Sequence, residues 1–453
     1  MKKLWLVLLS LGLVMAFSVS ALAVDVKFSG EYYAQGMYLD RTNLLDESDG
    51  NDPSTAFFFQ RFRLGTDFIV SPCLKLVTRV DIMERVWEPD NTGKNSVGTV
   101  VAQNIDTDAR NVDWDIAYIN YVSPIGLFQV GYMEDYVWGT VWGNRTTGPT
   151  TGQIKYFVPI GPVTMVFAYA KEDENDYSIQ YPGVLAEDID QDSFRVGPIF
   201  NFKSDAVAGE AGVLFTYDPV RQYRTLPLTP ATAPFKQDVY TIQPYFKAKF
   251  GPVSMQGELN YAFGERDYET DLVDDQDINS LSAWLDADAN FGLFSVGGSL
   301  AYVQGDDDPN EINNQLTGGR DWNPCLIMGN NNMFYSWIGP IGGAVATTTA
   351  TPFKNSVDGE LNNVIFGQIR GSVTPIPELT AGMSISMAQA DEDFGGDSDK
   401  GFEVDLTGTY KITNNLSYML GLGYYFTGDF YKGTTDADLD DDYVVLNKLT
   451  LSF

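Results

Sequence analysis

Alternation with a period of two runs through most of this chain, and nothing else in it limits the fold as tightly. In VSMQGELNYAFG, Val253, Met255, Leu259, Tyr261 and Phe263 share one face, against Ser254, Gln256, Glu258 and Asn260. LTAGMSISM sets Leu379, Ala381, Met383, Ile385 and Met387 against Thr380, Gly382, Ser384 and Ser386. GFEVDLTGTYKI and NLSYMLGLGYYF repeat the pattern, and so does DYVVLNKLTLSF, where Tyr443, Val445, Leu449, Leu451 and Phe453 fall together. Successive strand side chains point to opposite faces, so each segment is a β-strand with one apolar face and one small, polar or charged face. Lipid outside a closed barrel and water inside it require that arrangement.

The connections fall into two populations. Short ones lie at 71–73, 123–126, 160–162, 204–206, 251–252, 291–292, 374–378 and 413–414; long ones cover 40–55, 88–111, 138–150, 173–192, 219–237, 265–279, 305–360, 391–400 and 428–441. Eight short turns alternating with nine long loops predict an all-β, transmembrane, antiparallel up-and-down barrel of eighteen strands, sixteen being the alternative count. The short turns are expected on the periplasmic side and the long loops outside. A soluble sandwich also alternates, but rarely reaches eighteen strands in one domain and would not sort its loops by length. Tyr and Phe are abundant near strand ends, as interfacial girdles require.

The N-terminus reads as a cleaved secretory signal over 1–23: Lys2 and Lys3, an apolar run from Leu4 to Val19, then Ala21-Leu22-Ala23. The barrel domain is then 24–453. No later apolar run reaches the length of a membrane-spanning helix. The formal charge is −32, and loss of the two leader lysines makes it −34, which argues against nucleic-acid partners. With no histidine and no CxxC, the chain lacks a His-dependent triad and His-ligated zinc or haem, and it is read as no enzyme. Cys73 and Cys325 are too few for a disulfide framework, and placed in a turn on one side and a loop on the other they cannot pair.

Taken together, the signal segment, the alternating strands and the terminal Phe453 make the chain resemble the general porins of the Gram-negative outer membrane over its whole mature length. A closing strand ending in an aromatic, here Tyr443, Leu451 and Phe453, resembles the assembly signal of such barrels. The opening VDVKFSGEYYAQGMYLD also looks like porins of metal-reducing bacteria. The resemblance implies passive diffusion of small hydrophilic solutes and ions through a water-filled lumen, a homotrimer, and contact with outer-membrane lipid, lipopolysaccharide and the barrel-assembly machinery. One departure is plain: the third long loop, WGTVWGNRTTGPTTG, carries Trp138, Trp142 and Arg145 and no acid where enteric porins have an acidic constriction motif.

Assigning the polar faces to the lumen turns Arg61, Arg63, Lys75, Arg79 and Arg85 inward beside Asp81. Nine strands away, Glu258, Asp286 and Asp288 point in, which would set a transverse field across the pore. The competing reading pairs each charge with a neighbour, Arg63 with Asp81 first. Further lumen charges are Arg195, Lys247, Lys249, Arg370, Asp113, Asp115, Glu403 and Asp405. Acid runs at 171–176, 187–192 and 436–442 would give an acidic vestibule and a modest cation preference. No cofactor is implied, and the ion reading is limited to weak calcium or magnesium binding by the acidic outer loops, DEDFGGDSD (391–399) being a loose echo of a calcium loop without its closing Glu. Loop 138–150 is the candidate constriction. Loop 305–360, the longest and containing Trp322 and Trp337, is expected to fold into the pore or over a neighbouring subunit. The alternative function is a structural or interaction barrel, such as an adhesin, a lipopolysaccharide anchor or a scaffold for a partner protein.

Overall fold

A computed structural model describes residues 24–46, 54–87, 112–135, 137–146, 150–174, 190–222, 229, 233–306, 308, 310–319, 321–331, 341–342, 356–433 and 438–453. The segment 1–23, the parts 175–176, 187–189 and 436–437 of the acid runs, and Trp337 lie outside them.

The strands in chain order are β1 (Asp25–Leu39), β2 (Thr55–Ser71), β3 (Leu74–Val86), β4 (Val112–Ser123), β5 (Gly126–Glu134), β6 (Thr150–Ile160), β7 (Val163–Asp173), β8 (Gln191–Lys203), β9 (Ala208–Gln222), β10 (Phe235–Phe250), β11 (Val253–Tyr268), β12 (Gln276–Asn290), β13 (Phe294–Val303), β14 (Glu311–Ile312), β15 (Val364–Ile376), β16 (Leu379–Gln389), β17 (Asp399–Lys411), β18 (Leu416–Thr427) and β19 (Asp442–Ser452). All but β14 pair antiparallel with their neighbours, and β19 returns to β1 through Leu39↔Val444 to Glu31↔Ser452. The result is a closed barrel of eighteen strands, which leaves no sheet edge to satisfy in lipid. The two-residue β14 belongs to a long loop and pairs in parallel with the start of β12, at Asp277↔Glu311 and Ile278↔Ile312.

Eight connections of two to four residues lie at one end and nine long loops at the other, as the sequence predicts. Outward side chains form an apolar belt, with Phe28 at 61%, Trp114 at 65% and Ile369 at 73% exposure. An exposed apolar surface this extensive is built for lipid. Closure at the seam depends on one glycine. Gly30 and Phe453 exchange two backbone hydrogen bonds (2.9 and 3.0 Å), and a Cβ at Gly30 would sit 2.8 Å from the Phe453 ring. That ring lies 6.3 Å from Phe62, so the terminal aromatic joins the outer belt.

The interior is not uniformly polar. Toward the long-loop end, inward-facing Tyr33, Met37, Leu39, Phe59, Val303, Phe366, Val444 and Leu446 are buried in one apolar cluster with loop residues Leu44, Trp142, Trp322, Ile327 and Ile341. Water-filled lumen walls do not need such residues; loops folded onto the wall do.

Candidate functional site: a lumen narrowed by two loops

The loop between β5 and β6 crosses to β11 and β12. Its fixing point is Glu258, 5% exposed, whose Oε2 accepts hydrogen bonds from the Thr140 backbone N–H (3.0 Å) and hydroxyl (2.7 Å). Gly139 turns the chain at φ +67°, and a Cβ there or at Gly143 would fall 2.9 or 2.3 Å from a Glu258 oxygen. The WGTVWG sequence thus wraps a carboxylate that the wall supplies. Trp142 then lies parallel to Trp284 (centroids 6.1 Å, 3°) and edge-on to Trp322 (5.5 Å), with its Nε1 donating to Ser282 (3.3 Å). Arg145 faces Glu360 at 3.4 Å, and Thr146 N–H donates to Asp321 (3.0 Å), tying this loop to the longest one.

The described parts of the longest loop, between β13 and β15, fold inward. The N–H groups of Leu326, Ile327 and Met328 converge on the fully buried Glu403 at 3.0, 2.8 and 2.7 Å, and Gln368 Nε2 donates to the Pro324 carbonyl (2.6 Å). Farther along, Ile341 N–H donates to Asp358 (2.7 Å) and Gly342 N–H to the Thr42 carbonyl (2.9 Å). Burial, aided by the nearby Asp442 carboxylate and partly offset by the Ile341 N–H, pushes the Asp358 carboxyl up to about 7. The docked loop therefore holds a proton that the undocked loop releases near pH 4, and docking weakens as pH rises from about 4 to about 7. Single-channel records should show a lower mean conductance at pH 5 than at pH 8, and Asp358→Asn should diminish the difference; a pH profile in that variant equal to wild type refutes the assignment.

The lumen charges are paired with neighbours, not opposed across the pore. Arg63 makes a bidentate contact with Asp81 (2.7 and 2.6 Å) and reaches Asp115 at 3.2 Å. Arg79 holds Asp115 (2.9 Å) and Glu134. Across the barrel, Arg370 grips Asp286 (2.8 Å) and Asp288, so those carboxylates have their own cation. The transverse field is thereby replaced by local ion pairs, in which Coulomb attraction at contact distance outweighs attraction across the lumen.

Other placements also differ from expectation. Glu258, Glu403 and Asp405 do point inward, but lie beneath the two loops instead of lining open water. Arg85 does not line the pore. Phe62 pairs with Ile82 and Gln60 with Arg85, so an extra residue sits between them, at Met83 with φ +54°, and the bulge turns Arg85 to the outer face while Glu84 meets Arg61 at 3.7 Å. Lys75 is inside but near the short turns, on Asp67 at 2.7 Å. Residues the sequence reading missed include Thr140, Trp284, Asp358 and Glu360. The sequence marks the covered wall but not these residues: YVVL (443–446), AFFF (56–59) and VIF (364–366) are apolar on both faces, which fits internal cover.

Among the described residues, three neighbouring cavities lie along the β4–β12 wall. An upper cavity of about 210 Å³ lies between the two loops and β9–β11, and a middle one of about 430 Å³ lies under Trp138. Gly143 and Gln243 line both of these, and Glu210 and Lys247 line both the middle cavity and a lower one of about 440 Å³. Lys155, Tyr118, Trp138 and Tyr245 line the middle cavity. The Tyr245 hydroxyl donates to Glu210 (2.7 Å), and Lys247 Nζ lies 5.5 Å from the Tyr245 ring centre.

In 391–399 the carboxylates serve their own turns: Asp393, Asp397 and Asp399 accept N–H groups two residues on (2.8, 2.8 and 2.9 Å), and Asp391 takes Tyr302 and Gly305. They do not converge on one point. Among the described residues, Cys325, Glu403 and Asp405 alone bring three ligand-type atoms within 4.8 Å of one another, and there Glu403 already accepts the three loop N–H groups. Both thiols are free, Cys73 exposed and Cys325 buried.

No protein-family model and no curated protein matches this sequence. Among solved structures, the chain is similar to OpdK of Pseudomonas aeruginosa crystallised with vanillate, at 13% identity and TM-score 0.50 over 94% of this chain and 99% of that one. It is equally similar to OccK9 (OpdG) of the same organism, at 13% identity, TM-score 0.50 and the same coverage. The fold is that of the outer-membrane porins.

Proposed function

We propose that this chain is a porin of the Gram-negative outer membrane, exported by a cleaved signal peptide, through which small hydrophilic solutes and ions diffuse passively. The observation that carries the reading is the row of neighbouring cavities, sharing wall residues, beside loops latched to the wall inside a barrel with a lipid-facing belt. A pore filled on one side and open on the other sieves solutes by size and by what its walls can bond. A modest cation preference goes with it, supported by the net charge of −32 and by the neutralisation of Arg63, Arg79 and Arg370 in ion pairs. The neighbour crystallised with vanillate is consistent with a small-solute role. The surrounding partners are outer-membrane lipid, lipopolysaccharide and the assembly machinery, the last reading the strand that ends in Phe453. A homotrimer is the proposed assembly, to be checked by native mass in detergent.

Single-channel conductance in a planar bilayer, with the reversal potential under a KCl gradient, tests this reading. Stable steps with reversal on the cation side support it. Folded, heat-modifiable protein that gives no steps overturns it in favour of a structural barrel, whose role would be adhesion or scaffolding.

A further inference from the structure

The upper cavity differs in chemistry from the other two. Its wall presents Thr216, Thr241, Gln243 and Asn260 from β9, β10 and β11, and the longest loop adds Gln315 and Thr317. These are uncharged groups that both donate and accept. The charges around them are already engaged. Arg145 faces Glu360 at 3.4 Å, and Asp218 accepts the Thr216 hydroxyl (2.9 Å) and lies 3.6 Å from Arg195. Thr241 and Gln243 make no side-chain hydrogen bond among the described residues, and both line this cavity. As i and i+2 on one strand face they stand roughly 7 Å apart along the wall.

We propose that this cavity is a binding subsite for a neutral polyhydroxylated solute, a single sugar or sugar-alcohol unit, bordered by Gly143 and Gln243, which also line the middle cavity. The inference rests on the porin reading. Hydroxyl groups match a wall of amides and hydroxyls because each partner both gives and takes a hydrogen bond. An anion meets the carboxylates of Asp218 and Glu360 with no uncommitted cation to receive it. An apolar molecule leaves the wall groups unsatisfied, which is the unfavourable side of buried polar chemistry. At about 210 Å³ the space suits one ring and falls below the roughly 300 Å³ at which drug-sized ligand pockets begin.

The test is current block in single channels, with hexose, a linear hexitol, a sugar acid of the same size and cyclohexanol added in turn from the long-loop side. Wild-type protein should be blocked by the hexose and the hexitol at concentrations about tenfold below those needed for the other two. In Gln243→Leu/Thr241→Val, block is read against that variant's own open current, and the apparent affinity for hexose should fall about tenfold, the worth of one or two hydrogen bonds. Equal block by cyclohexanol, stronger block by the sugar acid, or open channels that no sugar blocks would each overturn the subsite while leaving the porin reading standing. Hexose block of undiminished affinity in the double variant would place the binding elsewhere and also overturn it. Absence of channels in wild-type protein would instead fail the porin reading itself.

Discussion

Glu258→Ala is expected to release the loop between β5 and β6 and to produce conductance levels well above the wild-type step. The carboxylate accepts both the backbone and the hydroxyl of Thr140 in a site 5% exposed, so its removal leaves two donors without their charged partner. Two charge-assisted bonds are worth roughly 3 kcal/mol together. That shift raises the undocked population by about two orders of magnitude, enough to turn a rare event into a visible substate. Trp142, parallel to Trp284 and edge-on to Trp322, still holds the loop part of the time, so flickering between levels is expected rather than one wide pore. Glu258→Gln keeps an acceptor and should behave closer to wild type. A Glu258→Ala channel with the wild-type step and no added levels would show that the tryptophans alone fix the loop.

Arg63→Ala is expected to weaken the barrel by about 3–5 kcal/mol, because it strands a carboxylate that has been desolvated to 6% exposure. Asp81 receives both its short contacts from this guanidinium, while Arg79 is occupied by Asp115 and Glu134. Arg63→Lys should recover only part of the loss, since an ammonium does not reproduce the two-pronged contact. Pairing the change with Asp81→Leu, as Arg63→Leu/Asp81→Leu, should restore much of the stability, because the expense lies in the orphaned charge and not in the missing bridge. Urea unfolding followed by heat-modifiability reads all four proteins. Full stability in Arg63→Ala would mean that the lumen hydrates Asp81 freely. In a channel that still opens, the freed carboxylate should also move the reversal potential further toward cations.

How much of this could be read beforehand depended on the range of the interaction. The strands were legible because their signal is local: each face repeats every second residue, and the turns between β10 and β11 or β6 and β7 are announced by Gly-Pro. The inward direction of Glu258, Glu403 and Asp286 followed from the same parity. What lay over them did not, because Thr140 is 118 residues from Glu258 and Leu326 is 77 from Glu403. The missing acid of the third loop is a related case. A loop that carries no carboxylate can still be fixed by one, and here the wall provides it. Arg85 was misplaced for a local reason, since one extra residue at Met83 inverts everything after it on β3. The paired arginines show a third limit. Sequence parity gives which face a charge occupies but not whether a nearer partner has claimed it.

The two thiols supply a consequence of their own. Cys73 sits exposed in the short turn after β2, whereas Cys325 is enclosed at 4% exposure on the inner side of the loop that Glu403 anchors. Burial raises the Cys325 thiol far above its usual ionisation range, so it stays protonated and inert while covered. A maleimide added to folded protein therefore marks one site at once and the other only during excursions of the loop. The ratio of the two labelling rates becomes a chemical clock for those excursions, already written into the wild-type chain and readable by mass without any channel recording.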